Sequence, residues 1–470
     1  MKKIINFLLL LVCSMLLVAC DKDSESGGEQ GASGDNPDAR DHLVFNVWGN
    51  PTEVACYEAI AKAYEEQYGF KVKVVPVTGD YYDNLNISFS SQKNAPDIFF
   101  TEPGEFVSHL ASKKVLNLQP FIKSGHLDVR SKNHTDGKIL LWDVNKAYKY
   151  DGETVGTGDY YALIKDWSPD FVMWYNKSHI DEYNSENNLK PGDKGYMEYP
   201  SETVPMTWDE FLDMSHKLSE ENRYGTMLDR VPYKHLMELI QMTGSSTWDS
   251  ENKHFNASDP NVLKAFQFFT DLQVGPKASA PKIGPSGVDS GQAFANGDIS
   301  FAFFGNWAYS TYQWDSVGFE FGMCPAPVPA KEDGSALTAE DAYAGCCGMI
   351  ALAIYKDTTN PKRAIEFLNF YMTYGNEYMA ERGFNIPGNR LIANSEAFMY
   401  PEDSTLGNIN RFFLNVANNY THPIVYNNYI NQITFEDIVG KHMSTYLANP
   451  TGETLEEVIA KINADIDREL

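Results

Sequence analysis

The sequence predicts an α/β fold. Short apolar or β-branched runs, which are typical of buried strands, alternate along most of the chain with segments whose apolar residues recur at helical spacing. The chain has 470 residues, of which 43% are hydrophobic and 22% charged. This composition is that of an ordinary globular protein, and the length suits about two or three domains.

The first alternation of strand and helix begins at Leu43. The apolar run 43–48 ends in Gly49-Asn50-Pro51, and the next apolar residues share one helical face as far as Gly69. A β-branched run at 72–77 follows. Strand, helix and strand in this order predict a parallel crossover connection.

Later elements begin at recognisable start signals. A short strand at 96–100 precedes a helical pattern that starts at Gly104. Two further helices start at capping boxes, in which a Thr hydroxyl and a Glu carboxylate satisfy free backbone donors. Two others start where Asp or Asn precedes Pro. The four starting residues are Thr207, Asp259, Asn360 and Thr454.

The N-terminal segment has the composition of an export signal. Lys2 and Lys3 precede the mostly apolar stretch 4–18, whose 15 residues are fewer than the roughly 20 of a spanning helix. Leu17-Val18-Ala19-Cys20 resembles a bacterial lipobox, which implies that Cys20 is lipidated. We therefore expect a lipoprotein signal peptide at 1–19 and a lipidated, flexible tether at 20–42. A plain signal peptide with a chance cysteine, or a membrane anchor, is the alternative.

The charge balance argues against a nucleic-acid partner. Acids outnumber bases 64 to 38, which gives a formal charge of −26, and such a molecule repels phosphate backbones. Aromatic residues make up 13% of the chain, with 27 Tyr and 8 Trp. Most of these belong in a core, but Tyr and Trp also suit a site that stacks on flat ligands.

Sequence motifs for catalysis and for cofactors are absent. There is no Walker A loop, no G-x-G-x-x-G after a strand, no G-x-S-x-G elbow and no H-E-x-x-H. We therefore expect no cofactor and no metal site. The cysteines of the body are expected to be free, buried thiols, although adjacent Cys346 and Cys347 could bridge. With so many acids, a glycosidase pair of carboxylates stays open.

Ten segments, in shared order and spacing, resemble the family 1 extracellular solute-binding proteins, the substrate receptors of ABC importers. Two of them are Thr207-Trp208-Asp209-Glu210-Phe211 and Phe304-Gly305-Asn306-Trp307. The full set is Leu43–Asn50, Pro96–Phe100, Gly158–Leu163, Trp174–Lys177, Pro205–Phe211, Ala293–Asp298, Phe304–Trp307, Gly345–Ile354, Asn360–Tyr371 and Phe384–Pro387. Together they cover nearly all of the chain after residue 42.

The resemblance implies a periplasmic-binding-protein type II fold, with two α/β lobes and a ligand cleft between them. By analogy, lobe 1 comprises 43–163 plus 347–400, and lobe 2 comprises 164–346 plus 401–470. The crossings then lie near 163–166 and 344–348. Polar segments at 128–160 and 181–204 are longer than the family pattern needs. They either reshape the cleft edge or form surface loops.

Trp307 is the main candidate for ligand contact. A strand at 299–304 stops at Gly305-Asn306, so Trp307 follows a strand end, where open α/β sheets bind ligands. The resemblance places a sugar-stacking aromatic in this G-x-W pattern. Further candidates follow strand ends, crossings or loops, with structural packing as their alternative role. They are Trp48, Asn50, Glu102, Trp167, Asp170, Tyr81, Tyr82, Arg230, Tyr233, Tyr343 and Asn385.

The resemblance implies a receptor that binds a carbohydrate by closing two lobes around it, and the large aromatic count favours an oligosaccharide over a monosaccharide. It would be exported, lipid-anchored to the outer face of the cell membrane, monomeric, and would deliver its ligand to an ABC permease without covalent chemistry. An exported glycan-degrading enzyme is one alternative. A binding protein for a non-sugar, such as a polyamine or a metal chelate, is another.

Overall fold

A computed structural model describes the body of the chain. The described residues are 40–91, 94–227, 232–249, 254–281, 289–337, 347–399, 404–419, 430 and 432–470. The predicted signal peptide, Cys20 and the tether up to residue 39 lie outside them. Within the described part, no helix is both long and apolar enough to cross a membrane.

The chain alternates strands and helices, which confirms the predicted α/β class. The strands are β1 His42–Val47, β2 Lys71–Pro76, β3 Ile98–Thr101, β4 Lys149–Tyr150, β5 Asp159–Tyr160, β6 Ala162–Pro169, β7 Met173–Asn176, β8 Tyr224–Thr226, β9 Trp248–Asp249, β10 His254–Phe255, β11 Ile299–Phe303, β12 Phe321–Cys324, β13 Cys347–Ile354 and β14 Ile386–Pro387. The helices are α1 Pro51–Tyr68, α2 Tyr81–Ser88, α3 Pro103–Ala111, α4 Gln119–Lys123, α5 Lys177–Glu186, α6 Trp208–Lys217, α7 Pro232–Met242, α8 Pro260–Asp271, α9 Ser290–Asn296, α10 Trp307–Thr311, α11 Pro361–Phe370, α12 Asn376–Ala380, α13 Arg390–Ala393, α14 Glu396–Met399, α15 Thr405–Asn419, α16 Gln432–Ala448 and α17 Leu455–Ile466.

The first sheet has six strands in the order β14-β6-β13-β3-β1-β2. β1 pairs parallel with β2 and with β3, as the predicted crossover through α1 requires. β13 pairs antiparallel with both β3 and β6. The sheet is therefore built from the start of the chain and from segments hundreds of residues later, and β13 fills its middle.

The second sheet has four strands in the order β12-β7-β11-β8. Its two faces bury different side chains. On β7, Met173 and Tyr175 belong to a core formed with α6, α7, α8, α16 and α17. Trp174 belongs to the other core, which the first sheet shares with the opposite face of the second sheet. A sheet covered on both faces explains why β7 and β11 are apolar without alternation.

Three helix starts follow the sequence signals. Thr207 and Thr454 form the predicted capping boxes with the Glu three residues later, and Asp259 accepts the backbone N–H of Asn261. Asn360 differs, because its side chain caps no helix and instead donates to the carbonyl of Arg40 at 2.9 Å.

The connection between the sheets departs from the expected crossing at 163–166. All eight residues of β6 are buried, and the strand pairs in the first sheet along its whole length. The chain enters the second sheet only with β7, after residues 170–172. α15, expected in lobe 2, adds Phe412 and Phe413 to the core that both sheets share, and the ring centroid of Phe413 lies 5.6 Å from that of Trp174 on β7.

The polar segment 128–160 contributes to the first core. It buries Ile139 and Tyr148, and the Tyr148 hydroxyl lies 3.0 Å from the carbonyl oxygen of Thr101 and 2.9 Å from that of Met349. Its end folds into the short β4–β5 hairpin. This segment is therefore a brace across the first sheet as well as a surface loop.

Candidate functional site

Aromatic side chains gather where β1 and β3 end. The Trp48 ring centroid lies 4.5 Å from that of Tyr81 and 4.9 Å from that of Phe100, both in edge-on geometry. Tyr82 is the next neighbour, at 5.9 Å. Trp48 is partly exposed, so this group offers an aromatic edge at the carboxyl end of two parallel strands, where α/β sheets bind ligands.

Tyr81 differs from the expectation of a ligand contact. Its hydroxyl donates to the carbonyl of Asn46 at 3.2 Å and accepts the N–H of Phe100 at 2.9 Å. Burial raises the pKa of Tyr81 far above its usual range. The side chain thus joins β1 to β3, and its role in this structure is to hold the aromatic group together.

Tyr82 and Glu102 form the polar edge of the same group. The Tyr82 hydroxyl donates to Oε2 of Glu102 at 3.2 Å and accepts the Glu102 N–H at 3.1 Å. Burial, and then the Glu102 charge, raise the pKa of Tyr82 well above its usual range. Because Glu102 is exposed, its carboxylate keeps room to accept hydroxyl hydrogen bonds from a ligand.

Asn50 acts as the cap of α1. Its Oδ1 accepts the backbone N–H of Thr52 at 2.9 Å and that of Glu53 at 3.0 Å. In turn, Oε2 of Glu53 accepts the backbone N–H of Asn50. This capping box accounts for the side-chain oxygen. Asn50 is exposed and lies two residues after Trp48, just beyond the carboxyl end of β1.

Trp307 and Asp170 form a second group at the end of β11. The indole Nε1 of Trp307 donates to Oδ1 of Asp170 at 3.0 Å. The indole ring is partly exposed and rests edge-on against Phe304, with centroids 5.4 Å apart. The structure therefore brings together two of the predicted site residues and leaves part of an aromatic ring accessible.

Two glycines make room for the Asp170 carboxylate. A Cβ on Gly305 would lie 2.5 Å from Oδ1 of Asp170, and a Cβ on Gly348 would overlap Oδ2. Ser168 and Asn306 are buried next to these residues and bond each other. The Ser168 hydroxyl donates to Oδ1 of Asn306 at 3.0 Å and accepts the backbone N–H of Asn306 at 3.2 Å. The G-x-W pattern thus needs its glycine for close approach.

A buried ion pair on β6 lies against Phe100 of the aromatic group. Lys165 and Asp166 are 2% and 6% exposed, and the Lys165 ammonium binds Oδ2 of Asp166. The ammonium also lies 5.0 Å from the ring centroid of Phe100 and 5.5 Å from that of Tyr57. The Lys165 ammonium therefore connects β6 to Phe100 of the aromatic group.

A β-bulge places both charges together. Asp166 pairs with Ile350 and Ile164 pairs with Ala351, so Lys165 is the extra residue of β6. Burial lowers the pKa of Lys165, but the charge of Asp166 and the groups around it outweigh burial, and the net shift is upward. Lys165 is thus held as a cation inside the sheet.

Asn385 and Trp167 both lie next to Asp166. Asn385 Nδ2 donates to Oδ1 of Asp166 at 3.4 Å, and its own Oδ1 is buried without a hydrogen-bond partner. Trp167, expected to face the cleft, is 1% exposed and packs edge-on against Trp142 at 5.1 Å. Trp167 is therefore a packing residue here, because β6 stays inside the first sheet at its position.

Some predicted site residues lie outside what the structure describes. They are Arg230, Tyr343 and the side chain of Tyr233, whose backbone belongs to α7. Cys346 and the side chain of Cys347 also lie outside, whereas Cys56 and Cys324 are free and buried as expected. Among the described residues, no group of three or more His, Cys, Asp or Glu side chains is arranged to hold a metal ion.

Sequence reasoning did not single out Lys165, Asp166, Ser168 or Asn306 as site residues. The available signal was two adjacent opposite charges inside the apolar strand 162–167, which is unusual for a buried strand. No sequence feature indicated the bulge that puts the two side chains together.

The buried His109 beneath Tyr82 predicts acid sensitivity. Its Nδ1 lies 3.2 Å from the Thr101 hydroxyl, and burial lowers its pKa from 6.5 to about 4. The unfolded chain therefore binds the proton first, and stability is lost as the pH falls from about 6.5 towards 4, by at most about 1.4 kcal/mol per pH unit for this residue.

We expect urea unfolding at a series of pH values to show a smaller loss for His109→Asn than for the unsubstituted chain. Other groups with shifted pKa values, such as His179, act equally in both proteins, so the difference isolates His109. Parallel stability curves for the two proteins between pH 6.5 and 4 would contradict this expectation.

The two sheets, the two cores and the ligand-accessible strand ends define a two-lobed α/β binding-protein fold. A sequence profile of bacterial extracellular solute-binding proteins matches residues 48–378, which is well over half of the chain. The chain belongs to this family, and the resemblance inferred from the sequence is confirmed. No curated protein gives a significant sequence match.

Solved structures of similar shape support the same fold. An ABC substrate-binding protein, Lmo0181 from Listeria monocytogenes in complex with cycloalternan, has a TM-score of 0.70 at 17% identity and covers 91% of this chain and 98% of its own. Maltose-bound MalE3 of T. maritima has a TM-score of 0.66 at 17% identity and covers 91% and 100%. UgpB of Mycobacterium tuberculosis, in complex with glycerophosphocholine, has a TM-score of 0.68 at 16% identity and covers 90% and 97%.

Proposed function

We propose that this solute-binding protein is a carbohydrate receptor, and that its ligand is an oligosaccharide. The observation that carries the proposal is Trp307, a partly exposed indole at the end of β11 whose N–H is fixed by Asp170 at 3.0 Å. A fixed aromatic face suits the C–H face of a sugar ring. The cycloalternan and maltose complexes among the similar structures support the same class of ligand.

The aromatic group at the ends of β1 and β3 supplies what a sugar site needs besides the Trp307 ring. Glu102 offers an exposed carboxylate for hydroxyl groups, and Trp48 offers a partly exposed aromatic edge. Trp48 and Glu102 follow strands of the first sheet, whereas Trp307 follows β11 of the second sheet. A ligand that contacts both groups would favour the closed arrangement of the lobes, since only that arrangement makes both sets of contacts.

The wider role follows from the family and from the export signal. We propose that the receptor acts as a monomer, that Cys20 carries a lipid which anchors it to the outer face of the cell membrane, and that it delivers its ligand to an ABC permease. The tether from 20 to 42 would keep the receptor near the permease at raised effective concentration. Binding and release suffice for this role, so no covalent chemistry is required.

A thermal-shift screen of residues 40–470 tests the ligand class. The panel contains maltose, maltotriose, cyclic α-glucans and monosaccharides, with glycerophosphocholine, spermidine and ferric citrate as non-sugar controls. A ligand at 100 times its dissociation constant should stabilise the protein by about 2.7 kcal/mol, which is a clear rise in melting temperature.

We expect the rise with a glycan, and chromatography afterwards should recover the glycan unchanged. Shortened glycan would instead indicate an enzyme. A rise with spermidine, glycerophosphocholine or the chelate alone would keep the solute-binding role and reject the sugar.

A further inference from the structure

We propose that Asp170 is a positioning residue, which holds the Trp307 indole in its binding orientation and ties that orientation to the strands that join the two sheets. The inference rests on the proposed function, because it takes Trp307 as the ligand-stacking residue. It differs from the expectation that Asp170 contacts the ligand itself, and assigns the carboxylate to the ring instead.

The first observation is the hydrogen bond between the two side chains. The Trp307 indole has a single donor, Nε1, and it donates to Oδ1 of Asp170 at 3.0 Å. A hydrogen bond to a charged acceptor is stronger than one to a neutral acceptor, by roughly a factor of two. Because Nε1 is the one polar atom of the ring, this bond is the polar contact that fixes its orientation.

The second observation is the space around the carboxylate. Asp170 follows directly on β6, Gly305 follows β11 closely, and Gly348 lies at the start of β13. The Asp170 carboxylate occupies the volume that a Cβ would need on either glycine. It is therefore confined by segments of both sheets, and a carboxylate confined in this way has little freedom to leave the indole.

The third observation is a buried pair of hydrogen bonds between Ser168 and Asn306. Ser168, two residues before Asp170, is fully buried and bonds Asn306, the residue before Trp307. The end of β6 and the segment between β11 and α10 are thus joined twice, once through Ser168 and Asn306 and once through Asp170 and Trp307. A change in the angle between the sheets would move these segments, and the hydrogen bond to Asp170 would move the Trp307 indole together with them.

An NMR experiment on the unliganded protein tests the positioning directly. In ¹⁵N-tryptophan-labelled residues 40–470, Trp307→Phe identifies the Trp307 indole signal by its disappearance. In Asp170→Ala we expect that signal to shift and its proton to exchange with solvent at least about tenfold faster, because the acceptor is gone. Asp170→Asn keeps an acceptor oxygen of the same shape and should restore most of the protection.

Trp174 is the matched internal control. Its Nε1 donates to the carbonyl of Phe304 at 3.0 Å, so its indole signal should stay in place in every Asp170 variant. An unchanged Trp307 signal in Asp170→Ala would overturn the proposal. Movement of the Trp174 and Trp307 signals together would also overturn it, since it would show a general structural effect.

A double-mutant cycle with maltotriose as the probe separates positioning from direct contact. If Asp170 acts through the indole N–H, Asp170→Ala weakens binding about tenfold in the unsubstituted protein and less than about twofold in Trp307→Phe. Equal losses in both backgrounds would show that Asp170 contacts the ligand, and would overturn the proposal. If maltotriose fails to bind, the carbohydrate function is in question, and the NMR result alone decides the positioning role.

Discussion

Replacement of Lys165 by methionine should lower the free energy of unfolding by about 3–5 kcal/mol, because it leaves the Asp166 charge buried without its partner. Asp166 is 6% exposed, and apart from the ammonium its side chain receives a long hydrogen bond of 3.4 Å from Asn385. Methionine fills a similar volume, so the loss reports the charge rather than a cavity. Urea unfolding followed by tryptophan fluorescence measures it.

Two controls make this expectation specific. Lys165→Met combined with Asp166→Leu removes both charges and should recover most of the loss, because a buried ion pair is often no more stable than apolar residues in its place. Lys217→Met breaks a pair with Asp213 in which both side chains are about 40% exposed, and should cost less than about 1 kcal/mol. A loss at Lys165 no larger than that at Lys217 would refute the buried-pair interpretation.

Replacement of Trp307 by alanine should raise the dissociation constant of the best-binding panel sugar by roughly 30- to 1000-fold. This corresponds to about 2–4 kcal/mol, the cost of removing a central aromatic anchor from a binding site. The stability of the free protein should change much less, because the indole is partly exposed. Isothermal titration calorimetry measures the affinity, and urea unfolding measures the stability.

Tyr374 provides a matched control for Trp307. It is an aromatic residue, 40% exposed, that stacks on Phe370 at 4.9 Å away from the candidate site. Tyr374→Ala should leave sugar affinity within about twofold of the unsubstituted protein. If Trp307→Ala behaves in the same way, the stacking residue lies elsewhere, and Trp48 becomes the next residue to test.

Local signals in the sequence predicted local structure well. The capping boxes at Thr207 and Thr454 and the αL glycine at Gly69 all lie where they were expected. These features depend on hydrogen bonds between residues three or four apart, which a single sequence displays. The parallel pairing of β1 with β2 was also predictable, because one helix of known direction connects them.

Long-range placement could not be predicted in the same way. Trp167 was expected at the cleft, but its exposure depends on β6 staying paired with β13, nearly two hundred positions later. The charges of Lys165 and Asp166 were visible in the sequence, but their meeting depends on a bulge in that distant pairing. Tyr81 and Tyr82 are adjacent and identical in type, so the sequence does not distinguish their roles. The Tyr81 hydroxyl has two backbone partners because β1 and β3 lie side by side.

The central position of β13 in the first sheet determines when that sheet can form during synthesis. β3 and β6 are synthesised early, but each pairs with β13 in the finished sheet. Ala162 of β6, for example, pairs with Ala353 of β13. Contacts between such distant residues make for a high contact order and slow folding. About three quarters of the chain, as far as Ile354, must therefore leave the ribosome before β13 can join β3 to β6, and until then the edges of β3 and β6 that face β13 stay unpaired. For an exported protein, this delay keeps the first sheet unfolded while the chain is translocated across the membrane.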